Sequence, residues 1–325
     1  MDLHRAHLPE ASLQRNPGMA LDLDWVRTVA INTSAVERRA ATLPGRRSVK
    51  TTFQAAWLLK AITLIDLTTL AGDDTPGRVQ RLCAKARQPV DPDTLKALGM
   101  GAITTGAVCV YHDMVETAVA ALEGSGIPVA AVSTGFPAGL SPFRLRVVEI
   151  EESVAAGAKE IDIVISRRHV LTGNWHALYD EMQAFRQACG EAHVKAILAT
   201  GELGSLGNVA KASLVCMMAG ADFIKTSTGK EGVNATLPVS LTMIRAIRDY
   251  EAATGIKVGY KPAGGISKAK DALVYLSLLK EELGDRWLQP DLFRFGASSL
   301  LGDIERQLEH HVTGAYSAAH RHALG

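Results

Sequence analysis

ADFIKTSTGKEG, residues 221–232, contains the unit from which the fold of this 325-residue chain is read. Its first half is short, apolar and β-prone; its second half is a Ser/Thr/Gly turn. Alternation along a strand places Lys225 on one face with Phe223 and Ser227, and Ile224 on the other. A lysine at a strand end is usually exposed. On an enclosed face it would need partners or a task, because an uncompensated buried ammonium is costly.

The same unit recurs on both sides. Apolar, β-branched runs stand at residues 62–68 (ITLIDLT), 106–111 (GAVCVY), 129–134 (VAAVST), 160–166 (EIDIVIS), 194–200 (VKAILAT), 221–226 (ADFIKT), 257–261 (KVGYK) and 292–296 (LFRFG). Helix-period segments follow them at 76–88, 113–123, 142–156, 175–188, 206–218, 238–253, 268–283 and 300–311. Such alternation predicts βαβ units and a parallel sheet. Eight units in about 250 residues predict an α/β fold of the (β/α)8 TIM-barrel type over an open doubly wound sheet. Polar and glycine residues concentrate in the strand-to-helix turns (LTTLAGDDT, STGFPAG, ATGELGS, STGKEG, KPAGGIS, FGASSL). In a barrel these turns open together on the face that carries active sites. Residues 1–50 read as an N-terminal helical extension, with one helix over 22–41 presenting Trp25, Val29 and Val36. The barrel is expected over 51–311 and a tail over 312–325.

Composition narrows the function. Lys+Arg 35 against Asp+Glu 34 gives a net charge of +1, so no general attraction to nucleic acid or an anionic membrane is expected. No apolar run approaches the roughly 20 residues that span a bilayer, and the first residues lack an apolar signal core. Cys83, Cys109, Cys189 and Cys216 show no CxxC spacing, which favours free thiols in a reducing, cytoplasmic setting. The ten histidines form no HExxH motif, and no GxSxG elbow or Walker loop is present. A small-molecule substrate and no metal are the expectation. Outer barrel helices often pair, so a homo-oligomer is compatible with the sequence, although no apolar stripe singles out an interface.

Charged residues fall on one face of the strands. In residues 160–166, Ile161, Ile163 and Ile165 alternate with Glu160, Asp162, Val164 and Ser166; in the first run Ile65 and Leu67 alternate with Asp66 and Thr68. Asp66 and Asp162 are therefore expected inside the barrel. Lys195, Lys225 and Lys261 lie near strand ends, and strands six and seven are neighbours in a barrel. Desolvation and a second ammonium both lower a lysine's pKa, the condition for a Schiff-base nucleophile near pH 7. The competing reading is a lysine that only neutralises Asp162. Residues 263–267 (AGGIS, with Gly264 and Gly265) and 296–299 (GASS, with Gly296, Ser298 and Ser299) each read as opening a helix after strands seven and eight, where barrels often hold phosphate. Lys230 adds charge beside the strand-six turn. Cys109 either lines the interior or packs as a core thiol.

Taken together, IDLTTL, AVCVY, EIDIVIS, TGEL, DFIKTSTGK, VGYKPAGGI and RFGASSLL resemble the deoxyribose-phosphate aldolase family, in its longer, eukaryotic-type form. The resemblance runs from about Leu64 to Leu301. It implies a class I aldolase that reversibly cleaves 2-deoxy-D-ribose 5-phosphate to acetaldehyde and D-glyceraldehyde 3-phosphate without metal or organic cofactor. Carried over, Lys225 is the Schiff-base lysine, Lys261 its pKa-lowering neighbour and Asp162 the proton relay. Asp66 and Thr68 fall near the substrate hydroxyls, with Cys109 beside them. Gly264, Gly265, Gly296, Ser298 and Ser299 form the phosphate cradle, with Gly229 and Lys230 next to it. Some relatives use a C-terminal tyrosine as a mobile proton carrier; Tyr316 is the tyrosine in this tail and is not terminal. Two rival functions remain: a class I aldolase or transaldolase acting on a keto-sugar phosphate, and a catalytically silent sugar-phosphate-binding protein.

Overall fold

Among the described residues, three helices come before the first strand: α1 (Leu23–Thr28), α2 (Thr33–Arg46) and α3 (Thr51–Ile62). The alternation then runs β1 (Ile65–Thr68), α4 (Pro76–Arg87), α5 (Pro92–Ala97), β2 (Ala107–Tyr111), α6 (Val115–Leu122), β3 (Val129–Ser133), α7 (Phe143–Ala155), β4 (Glu160–Val164), α8 (Arg167–Leu171) and α9 (Trp175–Ala188). It continues with β5 (His193–Ile197), α10 (Leu206–Met218), β6 (Phe223–Lys225), α11 (Leu237–Thr254), β7 (Gly259–Lys261), α12 (Ala269–Leu283), β8 (Phe295–Ala297) and α13 (Ser299–Thr313). This computed structural model describes residues 15–46 and 49–322. The first residues of the expected extension, part of its polar end and the end of the expected tail lie outside the described residues.

All eight strands lie in one parallel sheet, β8 beside β1 and onward in order to β7. Parallel bridges Tyr260↔Phe293 and Ala263↔Gly296 close the ring between β7 and β8. The chain is thus a (β/α)8 barrel, as its alternation predicts. The side-chain period of two does the sorting. Ile161, Ile163, Ile165, Val194, Ala196 and Ile224 face the helices and form the outer core. Cys109, Ala130, Val132, Val164 and Ile197 form a small apolar cluster inside the ring.

Several expectations need correction. The first strand begins at Ile65, because Ile62 ends α3. The helix expected over 22–41 is two helices. Asp22 caps α1 through the Trp25 amide (2.8 Å), and Asn32 receives the Ala35 amide (3.0 Å) at the start of α2. An Asn at that point offers the backbone a new N-cap, which ends continuity that the apolar spacing alone would suggest. Ser166 does not share the inward face of Asp162. The strand stops at Val164, and Ser166 turns outward to bond Glu181 on α9 (2.6 Å) and Arg146 on α7 (3.1 Å).

The extension is stitched to the barrel. Buried Asn16 donates its side-chain amide to Met217 O (2.7 Å) and Ala221 O (2.9 Å), and its backbone N–H to Asp222 (2.7 Å). α2 lies against α11 and α12, where Arg39 pairs with Glu281. At the other end of the chain, Tyr316 stacks on His310 in the last turn of α13, with ring centroids 4.1 Å apart. α13 starts at the barrel mouth and runs 15 residues away from it, about 22 Å at helical rise. Tyr316 therefore sits at the end of the barrel opposite the strand-to-helix turns.

Candidate active site

Strand register assembles the interior. Asp162 pairs with Lys195 across β4–β5, and Lys225 with Lys261 across β6–β7. One oxygen of Asp162 accepts from Lys225 Nζ (2.7 Å) and Lys261 Nζ (2.8 Å), and its other oxygen accepts from Lys195 Nζ (3.1 Å). Lys261 also donates to Asp66 (2.5 Å), and Lys195 to Glu160. Arg294 closes the network by bonding Asp66 (2.5 Å) and Glu160 (2.9 Å). None of these seven side chains is more than 3% exposed.

Counting charges separates the lysines. Among the described residues, three carboxylates (Asp66, Glu160, Asp162) and four cationic groups (Lys195, Lys225, Lys261, Arg294) make up this network inside the ring. Fully ionised, the network carries one surplus positive charge away from water, an expensive state. Losing one proton balances it, and the pKa directions say which group gives it up. Burial pushes the Lys225 amine below the usual lysine range, Asp162 opposes this, and the Lys261 ammonium adds to it. Burial also works against Lys261, but Asp162 and Asp66 outweigh it and hold that ammonium above its ordinary range. Lys195 is likewise raised, through Asp162, Glu160 and Asp66. Burial would raise Asp162; Lys195, Lys225 and Lys261 instead hold it well below the ordinary carboxylate range. Lys195 is thus the neutralising lysine of the competing reading, and Lys225 is the amine left free to be neutral.

Lys195, Glu160 and Arg294 received no role from the sequence, although each carried a signal. Glu160 shares the Asp162 face, Lys195 lies in register with Asp162, and Arg294 alternates with Phe293 and Phe295, both in the outer core. Cys109, level with Thr68 on β1, is fully buried in the inner cluster, and burial raises its thiol pKa. Lys261, Asp162 and Lys225 all act on it electrostatically, so it lines the interior beside the amines as a packed, neutral thiol. Thr68 is half-buried at the end of β1 and donates to Asp66 O (2.7 Å).

The rim after β7 and β8 is partly as expected. Gly264 and Gly265 adopt φ of +79° and +84°, and Ala263 bridges to Gly296. A Cβ on Gly296 would lie 2.7 Å from Ala263 Cβ and 3.2 Å from Lys261 Cε, so glycine is what lets β8 pass close to the end of β7. Ser298 and Ser299 begin α13, exposed, and the Ser298 hydroxyl caps no amide. Residues 263–267 lead into a helix as expected: α12 begins at Ala269 behind its N-cap Lys268. The carboxylate of Asp303 takes the Ala269 amide (2.7 Å), so one donor of that helix start is already occupied. Nor does the β6 turn offer its amides to the mouth: Thr228 N (3.0 Å) and Gly229 N (3.1 Å) both donate to Glu231. Lys230, exposed, contributes its side chain alone.

Known proteins are similar to this chain along most of its length. The family model described as DeoC/LacD family aldolase matches residues 60–302. A mouse protein named deoxyribose-phosphate aldolase is 64% identical over 307 residues, covering 93% of this chain and 96% of the mouse chain. A human protein of the same name is 62% identical over 309 residues, covering 94% and 97%. A solved deoxyribose phosphate aldolase from Aeropyrum pernix, described as having a unique tetrameric structure, matches with a TM-score of 0.58. It is 21% identical, covers 81% of this chain and 98% of that one, and speaks to the fold alone. With a paired-lysine interior inside a (β/α)8 barrel and close relatives along nearly its whole length, the chain belongs to the DeoC/LacD family of aldolases.

Proposed function

We propose that the chain reversibly cleaves 2-deoxy-D-ribose 5-phosphate to acetaldehyde and D-glyceraldehyde 3-phosphate through a Schiff base on Lys225. The observation that carries this reading is that Lys225 is the buried lysine with the fewest carboxylates: it pairs with Asp162 alone, on an oxygen shared with Lys261, whereas Lys195 pairs with three carboxylates and Lys261 with two. Neutral Lys225 adds to the C1 aldehyde of the open-chain sugar, and loss of water gives an iminium. The iminium is the electron sink, so this route calls for no metal or organic cofactor. As the C3 hydroxyl loses its proton, the C2–C3 bond breaks and its electrons form an enamine. Asp162, through Lys261 or a water, relays that proton, with Lys261 held charged as the proton store. Glyceraldehyde 3-phosphate leaves, C2 takes up a proton, and water hydrolyses the new iminium to free acetaldehyde.

The rim residues Gly264, Gly265, Gly296, Ser298 and Ser299 are assigned to the phosphate, with the Lys230 side chain as an added cation and Gly229, its amide spent on Glu231, shaping the turn that carries it; Asp66 and Thr68 are assigned to the hydroxyl side. Holding the phosphate fixes C3 above the relay, the positioning share of catalysis. Borohydride reduction with substrate present tests the assignment. The expected adduct is on Lys225, and Lys225→Ala abolishes both adduct and turnover. An adduct on Lys261 or Lys195 overturns it. Acetaldehyde serving as donor separates this activity from a keto-sugar aldolase or transaldolase. Among the described residues no helix is long and apolar enough to cross a membrane. A cytoplasmic setting is inferred from the four free, buried cysteines, and a homo-oligomer is proposed because outer barrel helices often pair. Sedimentation of the purified chain tests the latter.

A further inference from the structure

Arg167, the first residue of α8, ties together three rim loops besides its own. Its guanidinium donates to the carbonyls of Ala138 (2.5 Å) and Pro137 (3.1 Å) after β3. It also pairs with Glu202 after β5 (2.6 Å) and Glu231 after β6 (3.8 Å). Glu231 is a loop carboxylate with a side chain only 2% exposed. It accepts from Thr228 N (3.0 Å), Thr228 Oγ1 (2.7 Å) and Gly229 N (3.1 Å), and Thr228 Oγ1 in turn accepts from Lys230 N (3.1 Å). The turn has little else to fix it: Gly229 sits at φ +86° with open space where a side chain would be. Lys230 emerges from this turn beside Arg167, Arg168 and Ser166 in a cleft of about 380 Å³. Among the described residues no carboxylate pairs with its ammonium.

We propose that Arg167 and Glu231 are positioning residues that lock the β6 turn so that Lys230 meets the phosphate of the substrate. This rests on the aldolase reading above. The clamp acts on recognition and not on the reacting atoms, since Glu231 spends its oxygens on the turn and neither residue bonds to Asp162, Lys225 or Lys261. Charge-assisted hydrogen bonds hold the turn, and these are the stronger kind.

The test compares wild type, Glu231→Gln and Arg167→Gln on 2-deoxyribose 5-phosphate and on unphosphorylated 2-deoxyribose, alongside borohydride trapping with acetaldehyde. In Glu231→Gln, KM for the phosphorylated sugar is expected to rise about 10-fold or more, with kcat within about 2-fold of wild type. Its kcat/KM on the unphosphorylated sugar and its trapping by acetaldehyde are expected to hold. Arg167→Gln leaves the Glu231 contacts to the turn in place and is expected to show the same split, weaker; it carries the test if Glu231→Gln does not fold. A parallel loss on both sugars, or an unchanged KM in both variants, overturns the clamp while wild type remains active. A wild type that neither turns over nor is trapped overturns the aldolase reading and the clamp with it.

Discussion

Replacing Lys195 by Met removes one positive charge from the interior and one bond to Asp162 while leaving Lys225, Lys261 and both Asp162 contacts to them in place. Lys195 and Lys225 bind opposite oxygens of Asp162, at 3.1 and 2.7 Å, which places the two nitrogens roughly 6 Å apart. A unit charge at roughly 6 Å acts with about 3 kcal/mol at an effective dielectric near 20, or about two pKa units. With Lys195 gone, three carboxylates face two other cations, and a protonated Lys225 restores balance. The Lys225 pKa therefore rises, and relaxation of the site leaves about one to two units of that rise. Because the neutral amine is the reactive form, the ascending limb of kcat/KM against pH moves to higher pH. Activity near pH 7 drops about 10- to 100-fold and recovers on the alkaline plateau. The assay is aldehyde release from 2-deoxyribose 5-phosphate across pH 6–10. Loss of the buried pairs costs stability, about 3–5 kcal/mol, so a melting curve accompanies each variant. Lys195→Met combined with Glu160→Gln returns the count to two against two, and the limb should move back. A limb that stays in place in a folded Lys195→Met, or moves toward acid, refutes the charge-balance account.

Lys261→Leu also raises the Lys225 pKa but removes the proton store, so its alkaline plateau, measured in the same assay, should stay low where that of Lys195→Met recovers. Gly264→Ala places a Cβ 2.6 Å from the Asn234 side chain at φ +79°. It should cost about 1–3 kcal/mol, read as a lower melting temperature, and raise KM for the phosphorylated sugar. Asp66, Glu160 and Asp162 are held below the ordinary carboxylate range. With folded pKa values depressed, their contribution to stability is complete above the unfolded value of about 4 and is lost as pH falls below it. The melting temperature should therefore drop more steeply below about pH 4 in wild type than in Asp162→Asn; equal slopes would contradict the assignment.

The barrel was legible because it is written in periodicity: eight β-branched runs of period two, each followed by a helix-period segment. The charged interior was legible for the same reason, since Asp66, Asp162, Lys225 and Lys261 sit where alternation points them inward. What the sequence hid is set by side chains meeting across long separations. Arg294 reaches residues 228 and 134 positions away, and no local pattern reports such a bond. Short helices were missed where capping overrides apolar period, as at α5, which Asp91 caps through Thr94 N. The carboxylate of Asp303 on the Ala269 amide, 34 residues away, is another long-range bond, at a helix start that the sequence did place.

The nitrogens assigned to the reaction stand on hydrogen-bonded strands, in fixed register across β4 to β7. The residues assigned to the phosphate stand instead at strand ends, in turns and on the first turn of α13. Bond making and substrate selection are therefore mechanically separable in this molecule. A designer seeking a different acceptor aldehyde has a modular rim to rebuild, while the strand scaffold keeps the amine and its proton store in place. Substitutions on the strands would instead retune the working pH of whatever chemistry the rim admits.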